Sequence, residues 1–128
     1  KPVDRHELLA RLNIHLNHHQ LLRELEGYRA RVAQELDQAR DLQLALLPSP
    51  QELQDIGAAY SLAVSHHYQP SLELAGDLWG LYPLPNEHVA FMLLDCTGHG
   101  VSAALNAMRC HTLIQEHADL LLQPELFL

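Results

Sequence analysis

Leu78-Trp79-Gly80-Leu81-Tyr82-Pro83-Leu84, then Pro85-Asn86-Glu87, then His88-Val89-Ala90-Phe91-Met92-Leu93-Leu94 reads as two apolar strands joined by a short turn. A hairpin of this kind has its turn at one end and Asp77 and Asp95 at the other, so antiparallel pairing brings two carboxylates from distant sequence positions side by side. Two carboxylates held close repel each other unless a cation or a proton intervenes, which is costly in a bare protein and useful in a metal site. Oxygen donors favour Mg²⁺ or Mn²⁺ over zinc, and the chain has no Cys/His quartet at zinc spacing. Both acids sit in glycine-bearing turns, Ala75-Gly76-Asp77 and Asp95-Cys96-Thr97-Gly98-His99-Gly100. Gly98 and Gly100 let the backbone turn tightly against a ligand, and the helix expected from Val101 favours an anion at its N-terminus. His99 either hydrogen-bonds within this turn or positions a phosphate.

Upstream, residues 8–47 contain no proline and a single glycine, Gly27, which predicts one long helix or two helices end to end. Leu25, Tyr28, Val32, Leu36, Ala39, Gln43 and Leu46 follow one another at steps of 3, 4, 4, 3, 4 and 3, a heptad seam with one stutter. A seam this narrow suits a two-stranded coiled coil better than burial in a globule, and implies a homodimer through the helix. Pro48-Ser49-Pro50 is expected to end it. Beyond Gln51, the alternation of Ile56, Ala58, Tyr60, Leu62 and Val64 with smaller residues predicts a strand with one buried face. Val101 to Leu122 is expected to be helical.

Charge divides the chain at the same place. Residues 1–47 hold seven basic and seven acidic side chains, whereas from Pro48 onward Arg109 stands alone against nine acids. This excess argues against nucleic acid or an anionic membrane as partner and is compatible with cation binding. Cys96 and Cys110 form no CxxC pair, no leader is apparent, and no apolar run reaches the roughly 18 residues a membrane span needs. A reduced, cytoplasmic setting is expected.

Three blocks carry a resemblance. Leu42-Gln43-Leu44-Ala45-Leu46-Leu47-Pro48, Tyr68-Gln69-Pro70-Ser71-Leu72-Glu73-Leu74-Ala75-Gly76-Asp77 and Asp95-Cys96-Thr97-Gly98-His99-Gly100-Val101-Ser102-Ala103-Ala104-Leu105 resemble successive motifs of the SpoIIE/RsbU-like branch of the metal-dependent (PPM) protein phosphatases. The family writes them Gln-x-x-Leu-Leu-Pro, Pro-Ser-x-x-Gly-Gly-Asp and Asp-Val-Ser-Gly-His-Gly-x-x-Ala-Ala. The resemblance implies that Asp77 and Asp95 are catalytic metal ligands, that the Cys96 carbonyl is a further ligand, and that two Mn²⁺ or Mg²⁺ ions support hydrolysis of phosphoserine or phosphothreonine. Its implied substrate class is a phosphorylated regulator such as an anti-sigma-factor antagonist. Ala75 replaces the first glycine of the usual pair, a mild departure unless that position requires a positive φ, and Cys96-Thr97 replace the commoner Val-Ser, which a backbone ligand tolerates because its side chain is not the donor. The opening Lys1-Pro2-Val3-Asp4-Arg5-His6-Glu7-Leu8-Leu9-Ala10-Arg11 resembles the end of a response-regulator receiver domain, which implies that Lys1 contacts the phosphoryl group there.

The expected architecture is therefore α+β. Residues 1–17 are the C-terminal helix of a receiver, 18–47 a helical coiled-coil linker, and 48–128 the N-terminal part of a truncated PPM-type α/β sandwich. The family's later Asp-Gly and Asp-Asp metal motifs do not occur before Leu128, so the resemblance implies that this stretch by itself is inactive and that the full-length protein is a phosphatase. The alternative is a pseudophosphatase or adaptor that binds a signalling partner without turnover. His15, His18 and His19 share a helical face, but with no fourth ligand nearby they read as a solvated or interface face. Trp79 reads as core and Cys110 as a small buried residue.

Overall fold

The computed structural model describes residues 4–70, 73–123 and 125. The Lys1 assignment, like Ser71 and Leu72 of the second motif, lies outside the described residues. Two compact units are present, Lys1–Leu36 and Asp37–Leu128. The order of elements is α1 (Arg5–Leu44), α2 (Pro50–Tyr60), β1 (Asp77–Leu84), β2 (His88–Asp95), α3 (Val101–Glu116) and a 3₁₀ turn, Ala118–Leu122. This is the α+β class expected. No described helix is long and apolar enough to cross a membrane.

In the first unit α1 leaves its large apolar side chains in solvent: Leu12, Leu22, Leu25 and Tyr28 are all exposed. The exposed Arg11–Glu7 pair at i,i+4 adds only a few tenths of a kcal/mol to the helix.

The second unit begins with the last turns of α1. After Leu44 the chain makes two tight turns, Leu46 N–H to Gln43 O and Leu47 N–H to Leu44 O, both 3.1 Å. The strand expected over Ile56 to Ser65 is not formed; this segment opens with α2. Ser49 Oγ accepts from Glu52 N–H at 3.2 Å and Glu52 Oε2 accepts from Ser49 N–H at 2.7 Å, a reciprocal capping box followed by proline at the first helical position. These contacts hold the Glu52 carboxyl below its usual range, chiefly through the Ser49 side-chain hydrogen bond. Leu53, Ile56 and Tyr60 form a helical stripe at steps of 3 and 4, of which Ile56 is buried, and this outweighs the period-two pattern. The helix ends at Ser61, in the left-handed region (φ 54°), with Leu62 N–H on Gly57 O.

The hairpin forms as expected. β1 and β2 are antiparallel and constitute the only sheet among the described residues, in the register Asp77↔Asp95 through Leu84↔His88. Asn86 and Glu87 both take positive φ (59° and 60°) to reverse the chain. Leu78, Trp79 and Leu84 of β1 are buried together with Ala103, Ala104, Ala107 and Ile114 of α3, whose alanine stripe permits close approach. Trp79 is core, as read from the sequence, and stacks tilted on His66 at 4.7 Å. The last helix is shorter than expected: α3 stops at Glu116, and a tight turn continues after His117.

Ser49→Ala removes the capping box and is expected to lower unfolding free energy by ~1 kcal/mol, with loss of helical circular dichroism on heating. If residues 50–60 were a strand, the substitution would leave the helical signal unchanged.

Candidate metal and phosphate site

Asp77 opens β1 and Asp95 closes β2, and the register makes them a directly opposed cross-strand pair. Opposed Cβ atoms lie about 5 Å apart, within reach of carboxyl–carboxyl interaction. Both residues are exposed at the sheet end, open to solvent and ligand. Asp77 has its carboxyl raised above the usual carboxylate range, first by desolvation and then by the Asp95 charge and a carboxyl–carboxyl hydrogen bond. The pair thus carries a repulsion that a cation would relieve.

The turns behind these acids are built by close contact. Cys96 N–H donates to Gly76 O at 3.1 Å, adding one rung beyond the Asp77–Asp95 pair. A Cβ on Gly76 would sit 2.8 Å from the Cys96 carbonyl oxygen and 3.1 Å from Ala103 Cβ, so only glycine lets the two turns and α3 meet. Ala75, which stands where the family prefers glycine, is not among the positive-φ residues and adopts its conformation without strain. The Cys96 thiol is pushed up by burial, then by Cys110 beside it, with the charges of Asp95 and Asp77 adding to the shift. Gly98 (φ 101°) and Gly100 (φ 72°) occupy backbone conformations that L side chains rarely adopt. Together with exposed His99 they carry the chain from the end of β2 into α3. Gly100 caps α3 without a side-chain hydrogen bond, leaving the first N–H groups of the helix at the turn.

Two supporting residues were not assigned this role from the sequence. Gln43, read above as a position in the coiled-coil seam, is 1% exposed, which removes it from any seam. Its Nε2 donates to Ala75 O at 2.7 Å and its Oε1 accepts from Ala75 N–H at 3.0 Å. One amide therefore satisfies both backbone groups of the residue two before Asp77. The glutamine of the Gln-x-x-Leu-Leu-Pro block was the available signal; its partner, 32 positions away, was not. Tyr68 donates its hydroxyl to Asp77 O at 2.9 Å, fixing the start of β1. Desolvation and the nearby Asp77 charge raise the Tyr68 hydroxyl.

Two carboxylates and a main-chain carbonyl are oxygen donors of the kind a hard divalent cation takes. Among the described residues no group of three or more His, Cys, Asp or Glu stands where it could hold a metal ion.

Comparison with known proteins gives two matches. A family model described as Stage II sporulation protein E (SpoIIE) matches residues 85–128. The phosphoserine phosphatase RsbP of Bacillus subtilis (strain 168) is 33% identical over 89 residues, which cover 70% of this chain and 22% of that protein. No solved structure matches the chain.

Two measurements test the site's construction. Gln43→Leu keeps the side chain's bulk but strips both hydrogen bonds from buried Ala75; unfolding in urea is expected to show a loss of about 2–4 kcal/mol, against under 1 if the contacts were incidental. A carboxyl raised in the fold binds its proton more tightly there than in the unfolded chain. The metal-free protein should therefore lose stability as pH rises from the unfolded carboxyl value through the folded one. Asp95→Asn removes a charge that faces Asp77 and should raise the melting temperature of the metal-free protein near pH 7.

Proposed function

Because the chain belongs to the SpoIIE/RsbU-like branch of the metal-dependent (PPM) serine phosphatases, we propose that Asp77 and Asp95 are ligands of a Mn²⁺ or Mg²⁺ centre that hydrolyses a phosphorylated serine or threonine. The observation that carries the proposal is the Asp77↔Asp95 register pair, held between Gly76 and Cys96. When bound, the ions supply a nucleophilic water at neutral pH and neutralise phosphate charge. The chain's own residues do the rest. Asp77 and Asp95 set the donor spacing, and the Cys96 carbonyl adds an oxygen beside them. Gly98-His99-Gly100 and the start of α3 present N–H groups and an imidazole to the phosphate. Gln43 and Tyr68 hold Asp77 in place from behind.

The chain spans 22% of the length of RsbP, and the remaining ligands are assigned to the family's later aspartate motifs. The substrate proposed by analogy is a phosphorylated regulatory protein of the anti-sigma-factor-antagonist kind. The output is proposed to act in the cytoplasm under a receiver ending near residue 17, through a linker over 18–47 that pairs two copies of the chain. A second reading, binding of a signalling partner without turnover, draws on the two-carboxylate donor set standing alone among the described residues.

In the full-length protein, Asp95→Asn is expected to lower Mn²⁺-dependent phosphate release from a phosphoserine protein about 100-fold or more, the scale of removing one preorganised charge-stabilising group. Circular dichroism should be unchanged. Turnover equal to wild type would remove Asp95 from the catalytic centre.

A further inference from the structure

The first unit presents an apolar seam that the phosphatase site does not use. From Leu25, Tyr28 and Val32 the heptad spacing continues N-terminally through Leu21, His18 and Ile14, so the seam runs from Ile14 to Val32 at steps of 4, 3, 4, 3 and 4. Ile14, Leu21 and Tyr28 are 67%, 64% and 60% exposed, so their own unit leaves this face uncovered. Both ends of the seam are defined. Arg11 and Glu7, which hold the two preceding heptad places, pair with each other along the helix. Gln43, beyond the other end, is buried in the second unit by its bonds to Ala75. Leu9, Leu12 and Leu16 point to roughly the opposite side of a helix with about 3.6 residues per turn and form no part of the seam.

Charge names the occupant of this face. With His18 and Leu25 at heptad position a, Glu24 takes position g and Arg29 the following position e, on either flank of the seam. In a parallel, in-register pair, g of one copy meets the next e of the other, so Glu24 stands against Arg29 twice, once on each side. An antiparallel pair with the same apolar overlap sets Ile14 against Val32 and Leu21 against Leu25, but it brings Glu24 against Glu24 and Arg29 beside His15. Neither Glu24 nor Arg29 has an ion-pair partner within its own chain among the described residues, so the contact between copies breaks no existing pair. His18 selects the register as the charges select the direction. In register it meets His18 of the second copy, where an N–H of one ring can donate to the free nitrogen of the other. A slip of one heptad sets it against Leu25 in one copy and Arg11 in the other.

Resting on the paired-helix reading above, we infer that Ile14 to Val32 is a self-recognition surface whose partner is a second copy of this chain, held parallel and in register by two Glu24–Arg29 pairs between the copies. The surface starts inside the stretch assigned to the receiver's last helix and ends before the second unit begins.

The test uses the whole 128-residue chain, with its dimer dissociation constant read by sedimentation equilibrium at low salt, where exposed charges are least screened. The unaltered chain is expected to be a dimer. Glu24→Arg and Arg29→Glu each turn two attractions into two repulsions, and each should weaken association about tenfold. Combined in one chain, the two substitutions restore both pairs with their signs exchanged, and association should return to within about twofold of the unaltered chain. A dimer that neither single substitution weakens, as antiparallel pairing predicts, would overturn the parallel assignment and leave the paired-helix reading standing. A double variant as weak as the single ones would do the same. A monomeric unaltered chain would overturn the paired-helix reading and this surface with it. None of these outcomes bears on Mn²⁺ binding at Asp77 and Asp95.

Discussion

Two hydrogen bonds from Gln43 to the backbone of Ala75, at 2.7 and 3.0 Å, close the second unit around its candidate site. They are buried, so each is worth more than a surface contact, and losing them would strand an N–H and a carbonyl away from water. Ala75 leads directly into Gly76, whose missing side chain lets the Cys96 carbonyl and Ala103 approach, and then into Asp77. From there the ladder to Asp95 determines where the second carboxylate stands. The end of α1, both acid-bearing turns and the start of α3 therefore depend on one amide side chain.

That dependence explains why the acids can be held against their own repulsion. Asp77 is raised by desolvation and by Asp95, a destabilising arrangement that the Gln43 and Tyr68 contacts hold in place. A site that stores repulsion in its empty form has free energy to gain from a divalent cation, and the exposed sheet end leaves room for one.

Much of this was legible in the sequence because the signals were local. Two apolar runs around Pro85-Asn86-Glu87 define the hairpin, and pairing across it follows from strand geometry. The misread segment was also marked locally: Ser49 and Glu52 three apart, with Pro50 between them, signal a helix start, and Leu53, Ile56 and Tyr60 have helical spacing. The alternation over Ile56 to Val64 competes with those signals, and glycine and alanine at four of its nine positions fit either period. Gln43 was a different kind of miss. Its spacing satisfies a heptad, and only the tertiary contact to a backbone 32 residues away shows that its amide points inward.

The central claim is that Asp77 and Asp95 form a divalent-cation site at the open end of the hairpin. Paramagnetic broadening of amide resonances by substoichiometric Mn²⁺ reads this directly, because the effect falls steeply with distance from the ion. The account predicts selective loss of the Gly76, Asp77, Asp95 and Cys96 signals, while those around Asn86 at the far end of the hairpin remain sharp. Uniform weak broadening over the acidic surface, or loss centred on another group of residues, would contradict it.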